Sequence, residues 1–106
     1  MIRTPAMAQA LAASALALPL QSLANADLAK SKACLACHAV DRKLVGPSFQ
    51  DVAKKYTGQA DAEAKVTDSI RKGGSGKWGP VPMPGQPALT DAEIKTLATW
   101  VLTGAK

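Results

Sequence analysis

The sequence predicts a small all-α domain of about four helices, interrupted by one long loop rich in proline and glycine. Apolar residues recur at helical spacing in several segments, and residues that commonly cap helices stand before them. No segment alternates apolar and polar residues as a half-buried strand does. The chain has 106 residues and no internal repeat, which indicates one domain.

The first 26 residues differ in composition from the rest. Arg3 is their only charged residue, an apolar segment of mostly small residues follows, and the pattern Ala-Asn-Ala closes it at 24–26. A charged start, an apolar middle and a small-residue end are typical of a secretory signal peptide. We therefore expect residues 1–26 to be a signal peptide cleaved after Ala26. Residues 27–106 would then form an exported domain, and the net charge would fall from +5 to +4.

This domain is close to the lower size limit for an unaided hydrophobic core. It is also poor in large apolar side chains, and small exported domains usually add a disulfide or a metal to compensate. We expect that something other than its own side chains fills the middle of the fold. The aromatic residues of the whole chain are Phe49, Tyr56, Trp78 and Trp100.

The helices are predicted in chain order from their caps. Asp27 caps a first helix over about residues 28–38, Ser48 caps a second that ends at Gly58, and Asp61 opens a third. The third ends at the paired glycines 73–74. A capping box, Thr90-Asp91-Ala92-Glu93, opens the last helix. The apolar faces are Phe49, Val52, Ala53 and Tyr56; then Ala62, Val66 and Ile70; then Ile94, Leu97, Ala98, Val101 and Leu102.

The segment 72–89 is predicted to lack regular structure. It contains five glycines and four prolines, and it has no helical or strand periodicity. A loop of this length inside a small domain is usually functional or disordered.

Both cysteines and the only histidine lie within five residues, as Cys34, Cys37 and His38. On a helix they stand at i, i+3 and i+4, so they share one face. A thiol–disulfide pair is one interpretation, but the βαβ context of thioredoxin-like proteins is missing. A zinc site is a second, but it needs a fourth ligand. A buried structural histidine is a third, and it leaves the long loop unexplained.

The fourth interpretation is haem, and we favour it. C-x-x-C-H is the attachment signature of c-type haem, in which two thiols form thioethers and the histidine ligates the iron. This predicts one haem c per chain, bound through Cys34 and Cys37 with His38 as ligand. After signal cleavage, Met83 is the only methionine left as a sixth ligand, with a lysine as the fallback. Flanking prolines restrict the backbone around Met83.

A His/Met pair fills the coordination sphere of the iron, which favours one-electron transfer over catalysis at the metal. We therefore expect an electron carrier and not an enzyme. A haem enzyme or gas sensor with a labile Met83 is the rival function, and a thiol oxidoreductase without haem is the third.

Three further motifs accompany C-x-x-C-H: Val-Gly-Pro at 45–47, Trp-Gly-Pro-Val-Pro-Met-Pro at 78–84, and the C-terminal Trp-Val-Leu-Thr-Gly-Ala-Lys. With C-x-x-C-H they resemble the small bacterial class I cytochromes c of the c-551/c-552 type. The resemblance implies a class I cytochrome c fold, with about four helices around a covalent haem and contact between the terminal helices. It implies that the carbonyl of Pro47 accepts from His38 and that Trp78 donates to a haem propionate.

The resemblance also implies a periplasmic, monomeric electron shuttle without stable membrane insertion. Its partners would be a donor such as a cytochrome bc1-type complex and an acceptor such as a terminal oxidase or nitrite reductase. Two positions depart from the usual pattern: Gln86 stands where Asn is frequent, and Gly85 where Pro is usual.

The net positive charge suggests an acidic partner protein, and we expect no nucleic acid, because the charges are spread along the chain. Some basic residues near the expected haem segments are predicted to steer docking. They are Lys30, Lys43, Arg71, Lys72 and Lys77.

Overall fold

The structure is a computed structural model, and it describes residues 20–106. Within this range the predicted all-α fold with about four helices is confirmed. A 3₁₀ turn and one short antiparallel pair of strands lie between the helices. The bounds are α1 Leu20–Ser31, the 3₁₀ turn Cys34–Ala36, α2 Phe49–Tyr56, α3 Ala62–Lys72, β1 Gly73–Gly74, β2 Met83–Pro84 and α4 Asp91–Leu102.

The core is built around α4, which contacts α1, α2 and α3. The contact between α1 and α4 confirms the expected packing of the terminal helices. Burial of these apolar faces is the main stabilising contribution to such a fold. The buried apolar residues are Ala29, Phe49, Val52, Tyr56, Val66, Ile70, Leu89, Ile94, Leu97, Ala98, Trp100 and Val101.

Two helix starts have the predicted caps. The Ser48 hydroxyl accepts a hydrogen bond from the backbone N–H of Asp51 at 3.0 Å. At α4, Glu93 N–H donates to the Thr90 hydroxyl at 3.1 Å, and Thr90 N–H donates to the Glu93 carboxylate at 3.0 Å. These bonds satisfy backbone donors that the first turn of a helix leaves without partners.

The predicted first helix is wrong in its bounds. Asp27 lies inside α1, which ends at Ser31, and Ala33 adopts a left-handed conformation with φ 65°. Tertiary backbone bonds explain why no helix continues through residue 38. The carbonyl of Cys37 accepts from Gly46 at 2.8 Å, and that of Ala39 accepts from Phe49 at 2.9 Å. These carbonyls are therefore used by the following segment.

The prediction that 72–89 contains no regular structure is also wrong at two short places. Gly73 pairs with Pro84, and Gly74 pairs with Met83, in an antiparallel register. A two-residue strand is too short to produce an alternating pattern, so the sequence carries no signal for it.

The predicted signal peptide falls mostly outside the described residues. The proposed cleavage point after Ala26 lies within α1. No helix in the range 20–106 has the length and apolar character needed to cross a bilayer.

Candidate cofactor site

The structure brings all six predicted site residues to one cavity of about 410 Å³. This volume is in the usual range for small-molecule and cofactor sites. One wall is the proximal segment, residues 34–50, and the opposite wall is the distal loop, residues 73–89, with buried side chains of α2, α3 and α4 behind them. The six are Cys34, Cys37, His38, Pro47, Trp78 and Met83.

A single turn of backbone presents the two thiols and the imidazole. The carbonyl of Cys34 accepts from Cys37 N–H at 3.2 Å and from His38 N–H at 3.0 Å. One turn is enough to place Cys34, Cys37 and His38 on a common side, because they stand at i, i+3 and i+4. These three side chains therefore converge as expected, although the predicted helix over residues 28–38 does not form. Both cysteines are free thiols. Burial raises the pKa of the Cys34 thiol, which keeps it protonated at neutral pH.

His38 is held by the backbone of the proximal segment. Its Nδ1 lies 2.7 Å from the carbonyl oxygen of Pro47. Because a carbonyl can only accept, Nδ1 carries the proton, and Nε2 of the neutral ring keeps its lone pair for a metal. Phe49 stacks on the imidazole with ring centroids 5.1 Å apart and an interplanar angle of 23°. A Cβ at Gly46 would lie 2.7 Å from His38 Cε1, so only glycine fits beside the ring.

The distal loop brings a thioether and an indole to the same cavity. Met83 is half-buried and packs against the core. Trp78 is 39% exposed. Lys55 of α2 places its ammonium 4.5 Å from the centroid of the Trp78 ring and donates to the carbonyl of Lys77 at 3.4 Å. A cation over an indole face is an attractive contact, and here it ties the loop to α2.

Trp100 is a site residue that sequence reasoning assigned only to packing. Its side chain lines the cavity and meets Phe49 edge-on at 5.4 Å. Its buried Nε1 has no hydrogen-bond partner among the residues that the structure describes. A buried tryptophan N–H usually has a partner, so this orphan donor indicates a missing acceptor in or near the cavity. The expectation that a buried tryptophan N–H has a hydrogen-bond partner is the signal that identifies Trp100 as a site residue.

The chemistry of the cavity fits a haem. Two thiols can form thioethers, an imidazole and a thioether can ligate iron, and apolar walls suit a large flat ring. The free donor on Trp100 suits the polar edge of such a group. Fold and site together define a small helical protein that holds a covalently attached haem.

Comparison with known proteins gives the family. Residues 24–105 match the Cytochrome c family. The chain therefore belongs to the cytochrome c family, whose members bind haem c covalently through two cysteines. The two cysteines of this chain are Cys34 and Cys37.

The similar proteins are small bacterial cytochromes. Cytochrome c-551 of Pseudomonas denitrificans is 56% identical over 77 residues, which is 73% of this chain and 93% of that protein. Cytochrome c-552 of Hydrogenobacter thermophilus is 55% identical over 82 residues, 77% of this chain and 83% of that protein. The crystal structure of wild-type Nitrosomonas europaea cytochrome c552 matches with a TM-score of 0.73 and 47% identity, covering 74% of this chain and 98% of that one.

These relatives confirm the class I cytochrome c fold and the resemblance to the c-551/c-552 type. They also confirm that the protein is a small haem c electron carrier and not an enzyme. An electron carrier exchanges electrons with redox partner proteins.

Proposed function

We propose that this protein is a periplasmic one-electron carrier in which His38 and Met83 ligate the haem iron from opposite sides. Cys34 and Cys37 attach the porphyrin. When bound, haem c supplies a one-electron Fe(III)/Fe(II) couple. The observation that carries the proposal is the 2.7 Å bond from His38 Nδ1 to the carbonyl of Pro47, on a ring facing the same cavity as Met83.

The proximal ligand is oriented by its own backbone. Pro47 has a carbonyl oxygen but no N–H, so its backbone contributes only an acceptor to His38. This bond fixes the tautomer and the plane of the imidazole and leaves Nε2 as the nitrogen that can bind a metal. Phe49 covers one face of the ring. The proximal ligand is thus oriented by residues of its own segment.

Met83 is the distal ligand by elimination and by position. The chain has one histidine, and the other two methionines belong to the proposed signal peptide. Met83 lines the cavity between Pro82 and Pro84, whose rings restrict the backbone on both sides. A thioether favours the ferrous state and raises the reduction potential. With His38 and Met83 both as ligands, a bound haem would offer no open site to a substrate, which suits a carrier.

Trp78 and Trp100 are proposed to bind the polar edge of the porphyrin. Trp78 lines the cavity at its open side, where a propionate could accept from its indole N–H. Trp100 offers a buried donor without a partner in the described part of the chain. Two indole donors at the cavity would hold the carboxylates without adding charge.

The periplasmic location rests on the N-terminal composition. Arg3, the apolar segment and the Ala-Asn-Ala end support export and cleavage after Ala26, with 27–106 as the mature domain. The family match begins at residue 24, close to this boundary. We propose that the mature protein is monomeric and is not stably inserted in a membrane.

Docking is proposed to occur at the cavity mouth, defined as Leu44, Val45, Trp78 and Val81 with the adjacent Lys43 and Lys77. These four are the exposed large apolar side chains of the described residues, and all except Leu44 line the cavity. Among the other basic residues predicted to steer docking, Arg71 pairs with Asp91 and Lys72 with Asp68. An acidic surface on the partner would complement Lys43 and Lys77.

The proposed partners are a donor such as a cytochrome bc1-type complex and an acceptor such as a terminal oxidase or nitrite reductase. The salt dependence of electron transfer tests the docking surface. We expect Lys77→Gln to slow the reaction with an acidic redox partner at low salt and to flatten its salt dependence, because steering is screened by ions. Lys54→Gln is the control, since Lys54 does not line the cavity. Equal rates for both variants would refute docking at this mouth.

Absorption spectra of the haem-loaded protein test the ligand pair. The oxidised protein should show a weak sulfur–iron charge-transfer band, and Met83→Ala should abolish it while the sharp reduced α-band of a c-type haem remains visible. Carbon monoxide should bind ferrous Met83→Ala but not the native protein. Absence of the sulfur–iron band from the native oxidised protein would assign the sixth position to a ligand without sulfur, such as a lysine. Carbon monoxide binding by the native protein would favour the rival haem enzyme or gas sensor.

A further inference from the structure

Two glycines interlock at the base of the distal loop, where its two strands meet the end of α3. Gly73 follows α3 with φ 71°, a conformation that side-chain-bearing residues rarely adopt. A Cβ on Gly73 would lie 2.3 Å from the carbonyl oxygen of Met83 and 2.6 Å from the nitrogen of Gly85. All these neighbours are backbone atoms, so no flexible side chain could move aside. The backbone of the loop therefore rests directly on Gly73.

The contact is reciprocal. A Cβ on Gly85 would lie 2.7 Å from the carbonyl oxygen of Arg71 and 2.9 Å from the carbonyl carbon of Lys72. The next residue, Gln86, donates its N–H to the carbonyl of Ile70 at 3.0 Å and to that of Arg71 at 3.3 Å. The returning strand thus lies against the last carbonyls of α3 and satisfies groups that a helix end leaves unpaired.

We infer that Gly73 and Gly85 form an interlocked backbone contact that positions Met83 in the cavity. Met83 pairs with Gly74, next to the pair of Gly73 with Pro84, and it lies two residues before Gly85. The end of α3 is fixed, because Ile70 is buried in the core and Arg71 pairs with Asp91 of α4. The depth of the thioether in this chain is therefore set by how closely two backbones approach, and the absence of Cβ atoms at Gly73 and Gly85 allows this distance. The inference rests on the proposed ligation by Met83 and deepens it.

Gly85 lacks a positive φ, so Gly85→Ala adds a steric contact without conformational strain. Gly85 also does not line the cavity, so the new methyl group meets the backbone at the end of α3 and not the cofactor space.

The experiment titrates imidazole into the oxidised, haem-loaded variants and follows loss of the sulfur–iron charge-transfer band. Gly85→Ala should bind imidazole about tenfold more tightly than the wild type, since overpacking of this kind displaces the methionine. Gly73→Ala should do so at least as strongly. Helical circular dichroism at each endpoint verifies that the variants remain folded.

A double-mutant comparison separates positioning from a general effect on the fold. In a Met83→Ala background, Gly85→Ala should leave imidazole affinity unchanged, because the residue it positions has been removed. Equal affinities of Gly85→Ala and the wild type, or the same tenfold gain with and without Met83, would overturn the inference. Absence of the charge-transfer band in the wild type would instead refute ligation by Met83, which is a distinguishable result.

Discussion

The two walls of the cavity are held in different ways. The proximal segment is bonded along its length: Gly46 donates to Cys37, Phe49 to Ala39, Gln50 to Val40, and His38 to Pro47. The distal loop is held mainly at its base, by the β1–β2 pair and the bonds from Gln86 to the end of α3. Between residues 75 and 82, this loop makes one backbone–backbone hydrogen bond, from Gly76 to Gly79. Side-chain bonds of Lys55 and Lys77 link this stretch to α2 and α3.

The difference indicates that His38, the proposed proximal ligand, is held rigidly, whereas Met83, the proposed distal ligand, can adjust. The proximal wall fixes the imidazole through bonds that close within a short stretch of chain, so little can move without breaking several of them. The distal wall fixes the thioether from one end, so small changes at the base or along the loop can move it. An electron carrier can use such a division, because the attachment must be permanent while the distal sulfur tunes the potential.

The largest expected effect comes from removing each ligand in turn. His38→Ala deletes a ring that stacks on Phe49 and bonds to Pro47, and we expect a loss of at least about 3 kcal/mol in the free energy of unfolding. Met83→Ala should cost about 1–2 kcal/mol, less than a fully buried methionine, because Met83 is only half-buried. Denaturant titration of the haem-loaded proteins measures both. Equal costs would remove the contrast between the two walls.

The second effect probes the proximal wall with a single methyl group. In Gly46→Ala the new Cβ would press on the imidazole at 2.7 Å, and we expect about 1–3 kcal/mol of destabilisation from overpacking. Gly74→Ala, in open space on the distal side, should cost much less. Thermal unfolding of the two variants provides the measurement. A tolerated Gly46→Ala would show that the proximal segment can adjust, against the rigidity inferred above.

Some features of the two cavity walls could be predicted from the sequence, and others could not. The caps of α2 and α4 and the common side of Cys34, Cys37 and His38 follow from local patterns and motif spacing, because those signals lie within one turn or one motif. Met83 was reached by elimination, and Pro47 and Trp78 came from the family resemblance. The left-handed Ala33 and the end of α1 at Ser31 do not, since alanine favours helix and only tertiary bonds to residues 46–50 decide otherwise. The β1–β2 pair was missed because backbone approach at glycine leaves no side-chain pattern.

The third effect tests whether the distal loop is tied to α2 beyond its base. Lys55→Met removes the ammonium over Trp78 while retaining a similar chain length, and we expect a loss of about 0.5–1 kcal/mol, typical of an exposed cation–π contact. Lys54→Met changes the same charge on the same helix without that contact and serves as the control. Amide hydrogen exchange should rise in the distal loop for Lys55→Met only. If exchange rises equally in both variants, the charge and not the contact is responsible.

The smallest effect concerns two ion pairs that support the walls from α4. The Nζ of Lys32, just before the 3₁₀ turn, lies 3.5 Å from Oε2 of Glu93. Arg71, just before β1, pairs with Asp91. The backbone N–H of Thr90, aided by Lys32, holds the pKa of Glu93 below its usual value. A carboxyl group with a lowered pKa stabilises the fold at pH values above its unfolded pKa, and this contribution is lost as the pH falls through the folded pKa. Acid should therefore weaken the support of the proximal segment below about pH 4.5.

Glu93→Gln isolates this contribution, because glutamine preserves the capping box but not the charge. We expect wild type and variant to differ in unfolding free energy at neutral pH and to converge in acid. Amide exchange should report the variant's loosening at residues 32–38 and not in the distal loop, since the pair that supports β1 is untouched. Such a result would show that the two walls open independently. Loosening of both walls together would mean that α4 couples them, and the division between a fixed and an adjustable ligand would then be a matter of degree.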